Sequence, residues 1–162
     1  MVTEVVHASL SGGARLTKKL KEIAVALGSG DLEVLVGFQN GATYPESEGG
    51  HPVAQVAFWN NFGTKRAPPR PFFANFVEDQ QPTWAAKLGV ALRVTGYRTK
   101  GALEILGADM AGHLRESIVL LNDPPNAPYT LAHKKGSKPL VATGWMLRNV
   151  TWVVTKNDAV TK

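Results

Sequence analysis

The stretch TKGALEILGADMAGHLRESIVLLN, residues 99–122, carries the clearest hydrophobic period in the chain. Its apolar residues recur every three or four positions, which is typical of one face of a helix. They are Leu103, Leu106, Met110, Leu114, Ile118 and Leu121. The stretch therefore predicts one long amphipathic helix, which ends at Asn122-Asp123-Pro124-Pro125 because proline cannot continue it.

A second long helical stretch precedes this one and begins at Phe72. Its apolar residues again follow a helical period, but Pro82 interrupts them. Proline inside a helix removes a backbone donor and kinks the chain. We therefore predict either one kinked helix or two nearly continuous ones, ended by Thr95-Gly96. The two stretches together predict a pair of long helices.

Strand signals lie outside the helical pair. The sequence LEVLVGF, Leu32 to Phe38, is short, β-branched and bounded by turn residues, which predicts a buried strand. NVTWVVT, residues 149–155, predicts a late strand, and residues 2–10 are compatible with a first one. Because strands and helices do not alternate regularly, we predict an α+β fold, with a small antiparallel or mixed sheet packed against the long helices.

The length of 162 residues favours one domain, over residues 1–155, with a frayed tail at 156–162. Shorter helices are predicted at 14–27 and after His51-Pro52, and Thr143 is predicted to cap a helix over Gly144–Arg148. Loop 39–50 is expected to project or to form a flexible hairpin arm. The segments 64–71 and 123–140 are rich in proline and basic residues, so both are expected to be stiff and non-helical.

The composition excludes several classes of protein. A hydrophobic share of 44% and a charged share of 19% exclude a wholly disordered chain. No apolar run approaches the roughly 20 residues of a membrane helix, and no secretory signal is expected at the N-terminus. The absence of cysteine excludes disulfides and thiolate metal sites. The net charge of +5 is mild and permits contact with nucleic acid or another acidic surface.

The motifs of common catalytic and cofactor sites are missing. The chain has no phosphate-binding glycine loop, no G-x-S-x-G and no H-E-x-x-H. His113 lies between Asp109 and Glu116 on one flank of the long helix. A metal or acid–base site is one interpretation, but the spacing favours a hydrogen-bonded flank at a helix–helix or subunit boundary. Glu46 and Glu48 fall in a glycine-rich loop that is unsuited to catalysis. We therefore expect no enzyme activity and no catalytic, cofactor or metal residues.

Six aromatic residues fall within residues 58–76, on both sides of the proline-rich connector. Aromatic residues interleaved with arginine can stack on nucleic-acid bases, but helical spacing favours one core cluster. Phe62, Phe72 and Phe73 are accordingly predicted to be buried. The connector would then hold Lys65, Arg66 and Arg70 at a fixed place. We expect Arg70 to be a structural anchor whose guanidinium bonds carbonyls or an acid.

Two blocks of sequence resemble a known family. VAQVAFWNNFGT at 53–64, followed by PPRPFF at 68–73, resembles its A-x-x-x-E-F-G-T … P-x-R-P-F pattern, with Asn61 where the family often has Glu. LNDPP at 121–125 and KPLVATGWML at 138–147 resemble its P-L-x-x-T-G-x-M-L ending. The family is that of the neck and tail-completion proteins of long-tailed bacteriophages, which includes minor tail protein Z and related virion morphogenesis proteins.

This resemblance implies a structural virion protein. It would form a ring, expected to be a hexamer, that helps to join capsid and tail. DNA would pass through its lumen without sequence recognition, and its other partners would be neck and tail proteins. The protein would assemble in the host cytoplasm and reside in the virion, without a membrane.

Two alternatives remain open at this stage. The chain could be a tail terminator or head-closure protein of the same junction, or a small basic nucleic-acid-binding protein. The residues predicted to form interfaces or structural anchors are Trp59, Phe62, Lys65, Arg66, Arg70, Phe72, Lys134, Lys135 and Lys138.

Overall fold

The computed structural model describes residues 13–28, 31–127, 132 and 138–156. It has an α+β fold with one two-stranded antiparallel sheet, which confirms the predicted class. The predicted strand at 2–10, the lysines Lys134 and Lys135, and residues 157–162 lie outside the described residues. The elements in chain order are α1 (Gly13–Leu27), β1 (Leu32–Phe38), a 3₁₀ turn (Glu46–Glu48), α2 (Val53–Phe62), α3 (Phe72–Val94), α4 (Thr99–Leu120), α5 (Trp145–Arg148) and β2 (Val150–Lys156).

Helices α3 and α4 form an antiparallel hairpin that is the centre of the fold. They are joined at residues 95–98, where Gly96 and Tyr97 both have positive φ. At the open end of the hairpin, the hydroxyl of Ser117 donates a hydrogen bond of 2.6 Å to the carbonyl of Phe72. This bond joins the last turn of α4 to the first turn of α3. The predicted pair of long helices is therefore confirmed.

The sheet packs on α4 through one of its two faces. Val34 and Trp152 point from β1 and β2 to Gly107, where an added Cβ would lie 2.8 Å and 3.0 Å from them. A direct pair on the opposite face, Leu35 and Val153, is exposed. The prediction that β1 is a buried strand is therefore wrong: none of its seven residues is buried, and Leu35 is exposed on the face that points away from α4.

The hydrophobic core lies where α2, the first turns of α3 and the second half of α4 meet. Val53, Phe72, Leu114 and Ile118 are its largest fully buried side chains. Met146 of α5 and Val150 of β2 close the same core from the C-terminal segment. The C-terminal segment at 138–147, which resembles the phage family, therefore packs onto the helices.

Loop 39–50 is hydrogen-bonded within itself and to the C-terminal segment. The amide of Tyr44 donates to the carbonyl of His51, which closes the loop. The indole of Trp145 donates to the carbonyl of Thr43 at 2.8 Å. The Thr143 hydroxyl donates to Glu48 at 3.2 Å, so the prediction that Thr143 caps α5 is wrong, and Gly144 occupies the cap position instead.

Helix α1 is joined to the helical hairpin at its C-terminal end. The hydroxyl of Thr99, at the start of α4, donates a 2.6 Å hydrogen bond to the carbonyl of Leu27. The predicted helix at 14–27 is confirmed, but its apolar stripe is open to solvent. Leu16 is 61% exposed and Leu20 is 56% exposed.

Helix α3 runs without interruption through Pro82, so the expectation of one helix rather than two is the correct alternative. Because Pro82 has no N–H, the carbonyl of Glu78 lacks its helical donor, and the cost in a helix interior is roughly 3 kcal/mol before relaxation. We expect Pro82→Ala to raise the free energy of unfolding by about 1 kcal/mol, since part of the gain is offset by a freer unfolded chain. Urea unfolding measures this change, and a loss of stability would show that the proline ring packs favourably.

Candidate functional site

The connector between α2 and α3 is a tight turn followed by an extended run. Helix α2 ends at Gly63, which has φ 79°, and a Cβ there would lie 2.8 Å from the nitrogen of Pro69. The amide of Thr64 donates to the carbonyl of Ala67 at 2.9 Å. The Thr64 hydroxyl accepts from the amides of Arg66 and Ala67. These bonds hold Lys65 and Arg66 exposed at the tip of the turn.

Arg70 fastens the connector to the segment that follows α4. Its Nε donates to the carbonyl of Pro124 at 3.2 Å, and its Nη2 donates to the carbonyl of Pro125 at 3.2 Å. Nη2 also lies 3.4 Å from Oδ1 of Asn126, which is buried. Only 9% of Arg70 is exposed, and this burial lowers the pKa of its guanidinium. The arrangement is that of a structural anchor bonded to carbonyls.

Asn61 fixes the start of α3. Its side chain is buried, and its Oδ1 accepts a hydrogen bond of 3.0 Å from the amide of Phe73. The first amides of a helix lack helical acceptors, so this contact satisfies one of them. The amide of Arg70 donates to the carbonyl of Asn60 at 2.7 Å. Two neighbouring residues at the end of α2 thus set the direction in which α3 leaves the connector.

The aromatic residues around the connector do not form one buried cluster. Phe72 and Phe76 are buried and Phe73 is half-buried, which confirms the prediction for Phe72. Phe58 and Phe62 are 60% and 65% exposed, so the prediction that Phe62 is buried is wrong. The two rings lie four residues apart on the outer side of α2, with their centroids 4.7 Å apart. Trp59 is half-buried and meets the edge of His51.

An apolar cleft opens beside the exposed aromatic pair. Its volume is about 320 Å³. The lining residues come from β1, α2 and the start of α3: Phe38, Ala54, Ala57, Phe58, Asn61, Phe62, Phe72 and Phe73. We call the exposed rings of Phe58 and Phe62, together with Lys65 and Arg66, the connector surface. It combines two aromatic rings with the guanidinium of Arg66, and aromatic residues and arginine are enriched in protein interfaces.

The remaining predicted contact residue within the described part of the chain is Lys138. Its Nζ donates to the carbonyl of Val119 at 3.1 Å and lies 3.4 Å from Oδ1 of Asn122. Carbonyls at the end of a helix carry partial negative charge, so this lysine stabilises the C-terminus of α4. Lys138 therefore contacts a helix end of its own chain and is not part of the connector surface.

His113 belongs to a polar network between α3 and α4. The ammonium of Lys87 lies 2.6 Å from Asp109 and 3.1 Å from Nε2 of His113. Nε2 of His113 also lies 3.6 Å from Oδ1 of Asp109, and its Nδ1 lies 3.3 Å from Glu116. His113 therefore lies at the helix–helix boundary that its spacing favoured. The place of Lys87 in this network was not predictable from the sequence, because the packing of α3 on α4 brings it there.

Within residues 13–28, 31–127, 132 and 138–156, no three His, Asp or Glu side chains are placed to share a metal ion. Glu46 and Glu48 are exposed in the 3₁₀ turn. In the same described ranges, no helix is both long and apolar enough to cross a membrane.

Comparison with family models, with curated proteins and with solved structures gives no match to this chain.

Proposed function

We propose that this chain is a structural virion protein of a long-tailed bacteriophage, acting in tail completion at the neck or the head-proximal end of the tail. In this proposal it forms a ring around the DNA channel, with six copies as the expected number. It contacts neck and tail proteins, and DNA passes through without sequence recognition. Assembly takes place in the host cytoplasm, and the protein ends in the virion.

The observation that carries the proposal is the connector surface, which lies in the segment that resembles the phage family. Two phenylalanine rings, both more than half exposed, stand beside the basic turn that presents Lys65 and Arg66. A soluble monomer gains nothing by exposing two neighbouring aromatic rings next to a cleft, whereas aromatic and arginine side chains often dominate the energetics of protein interfaces. A binding role therefore explains this surface better than a purely structural one.

The way the surface is held supports the same proposal. Gly63 and Thr64 fix the turn, and Arg70 bonds the connector to Pro124, Pro125 and Asn126. The two sequence blocks that resemble the phage family are thus joined by one buried side chain. A surface fixed before binding loses little conformational entropy when a partner docks. This rigidity suits a component that must fit a preformed tube or portal.

The first test removes the exposed rings without touching the core. We expect the double variant Phe58→Ser/Phe62→Ser to unfold within about 1 kcal/mol of the wild type, because both side chains are mostly exposed. We expect its binding to tail tubes or filled capsids to fall about tenfold or more, because hot-spot aromatic residues are lost. Co-sedimentation with tubes and capsids of the phage that encodes the protein measures this binding.

The matched control is Val94→Ser, which also removes an exposed apolar side chain but at the other end of α3. It should leave binding to tubes and capsids unchanged. Equal binding by Phe58→Ser/Phe62→Ser and the wild type would contradict a role for the connector surface. A wild-type monomer that ignores tubes and capsids, but binds free DNA with a steep salt dependence, would favour the nucleic-acid alternative.

A further inference from the structure

Helix α1 presents an apolar stripe whose N-terminal half is exposed. Leu16 and Leu20 lie on one side of the helix with Ile23 and Leu27, at three- and four-residue steps. The end of the stripe near Leu27 is tied to the helical hairpin by the hydrogen bond from Thr99. An isolated helix of 15 residues is marginal in water, so packing of the stripe against a partner would stabilise it. Lys19 borders the stripe on one side and Lys21 lies farther round the helix on the other. With Arg15 and Lys18 against Glu22, the helix has a net positive charge.

A groove at the open end of the α3–α4 hairpin has complementary features. Its volume is about 350 Å³, and Phe76, Leu120 and Leu121 contribute apolar walls. Leu120 is 62% exposed. Asp79 and Glu116 supply negative charge at the same groove. A net basic helix with an exposed apolar stripe is complementary to a groove that carries two carboxylates beside the exposed side chain of Leu120.

The helix and the groove of one chain cannot meet. Helix α1 is attached at Thr99, whereas Glu116 and Leu120 lie 17 and 21 residues further along α4. At about 1.5 Å per residue, these positions are roughly 25 and 32 Å from the attachment. Leu16 is 11 residues from Leu27, so even if α1 lay along α4 the stripe would reach only about 17 Å. A second copy of the chain can supply the groove.

Other pairings of α1 fit the charges less well. Two α1 helices packed face to face would bring the lysines of both copies together. The apolar strip formed by Val90, Val94 and Ile105 lies beside Lys87, whose charge is already neutralised by Asp109. The groove, by contrast, combines the exposed side chain of Leu120 with the carboxylates of Asp79 and Glu116.

We propose that α1 of one subunit docks into the α3–α4 groove of the next copy, with Leu16 and Leu20 in the groove and Lys19 and Lys21 facing Asp79 and Glu116. The contact joins two different surfaces, so it repeats head to tail and yields a ring when the rotation closes. This inference rests on the proposed function, since a tail-completion ring requires a contact between copies, and it names the segments that make it.

Charge reversal on each side tests the docking. One variant carries Lys19→Glu and Lys21→Glu, and the other carries Asp79→Lys and Glu116→Lys. Each alone should weaken self-association by about tenfold or more, because like charges then meet at the contact. Light scattering after size separation, over a concentration series at low salt, measures the assembled mass. Circular dichroism confirms that each variant is folded.

An equimolar mixture of the two charge-reversed variants provides the decisive test. In an alternating ring, every reversed helix meets a reversed groove, and every native helix meets a native groove. We therefore expect the equimolar mixture to regain the assembled mass, although neither variant assembles alone. The control pair Lys18→Glu/Lys100→Glu makes the same change of charge, with Lys18 on the side of α1 opposite the stripe, and should assemble like the wild type.

The outcomes separate this inference from the proposed function. If the wild type assembles and both reversed variants assemble equally well, the docking of α1 is overturned while the ring stands. If the folded variants lose assembly and their mixture does not regain it, the pairing of these two surfaces is overturned. If the wild type remains a monomer alone and with tail tubes, the ring itself is overturned, and the docking with it.

Discussion

Replacement of Arg70 by alanine should lower the free energy of unfolding by about 3 kcal/mol. The guanidinium is buried and donates to two carbonyls, with the side-chain oxygen of Asn126 at 3.4 Å. A hydrogen bond to a charged group contributes roughly 1.5–3 kcal/mol, and truncation also leaves buried acceptors without a donor. Within the described residues no carboxylate lies within 4 Å of this guanidinium, so the loss comes from the carbonyl contacts and not from an ion pair.

Guanidinium chloride unfolding, followed by circular dichroism, measures the effect of Arg70→Ala. Arg66→Ala is the matched control, since Arg66 lies four residues earlier on the same connector but is exposed, and its loss should change stability by less than about 0.5 kcal/mol. Arg70→Lys should fall between the two, because lysine keeps the charge but loses the planar fork of donors. Equal stability of Arg70→Ala and Arg66→Ala would show that the contacts of Arg70 do not stabilise the fold.

Replacement of Gly107 by leucine should lower the free energy of unfolding by a similar amount, about 3 kcal/mol. Gly107 is buried where α4 crosses the sheet, and even a Cβ would lie 2.8 Å from a methyl of Val34 and 3.0 Å from the ring of Trp152. A β-branched side chain and a large ring have little freedom to move away. A leucine therefore forces the sheet from the helix, and overpacking of this kind costs roughly 1–3 kcal/mol or more.

Gly112 on the same helix provides the control for Gly107. An added Cβ at Gly112 meets no atom within 4 Å, and the residue is exposed. Gly112→Leu should therefore stabilise the protein by up to about 1 kcal/mol, because leucine favours the helix over glycine. If α4 packs on the sheet through Gly107, thermal unfolding should show a lower melting temperature for Gly107→Leu and a higher one for Gly112→Leu. A stabilising Gly107→Leu would contradict that packing.

The parts of the fold that local pattern determines were predictable. β1 matches its predicted bounds because turn residues limit it on both sides, and α4 ends where Pro124 and Pro125 prevent a further turn. The α+β class followed from the order of the elements. The sequence could not reveal that the sheet is covered on one face only, because Leu35 and Val153 belong to an apolar pattern that looks equally suited to a buried strand.

One feature of the candidate site was predictable from the sequence and another was not. The carbonyl-bonding role expected of Arg70 depends on a stiff connector and a large planar cation, both visible in the sequence. The exposure of Phe58 and Phe62 depends on which side of α2 packs on the core, and that is set by Asn61 bonding to Phe73 and by the turn at Gly63. These contacts join residues on the two sides of the connector. The hydrophobic period of the ten-residue helix α2 therefore does not predict them.

The two proposed surfaces have separate roles in one account of assembly. The connector surface, with Phe58, Phe62, Lys65 and Arg66, is proposed to contact other virion proteins. Helix α1 and the groove at Asp79 and Glu116 are proposed to join copies of this chain. Because the variants on each surface are distinct, loss of partner binding and loss of self-association can be measured independently.

Light scattering of the purified wild-type protein, alone and after mixing with tail tubes and filled capsids of the phage that encodes it, tests whether the protein is a ring component of the virion. We expect a ring-sized oligomer, or a monomer that becomes stoichiometrically bound at the end of the tube or at the neck. A monomer that binds neither structure at any concentration tested would contradict this expectation.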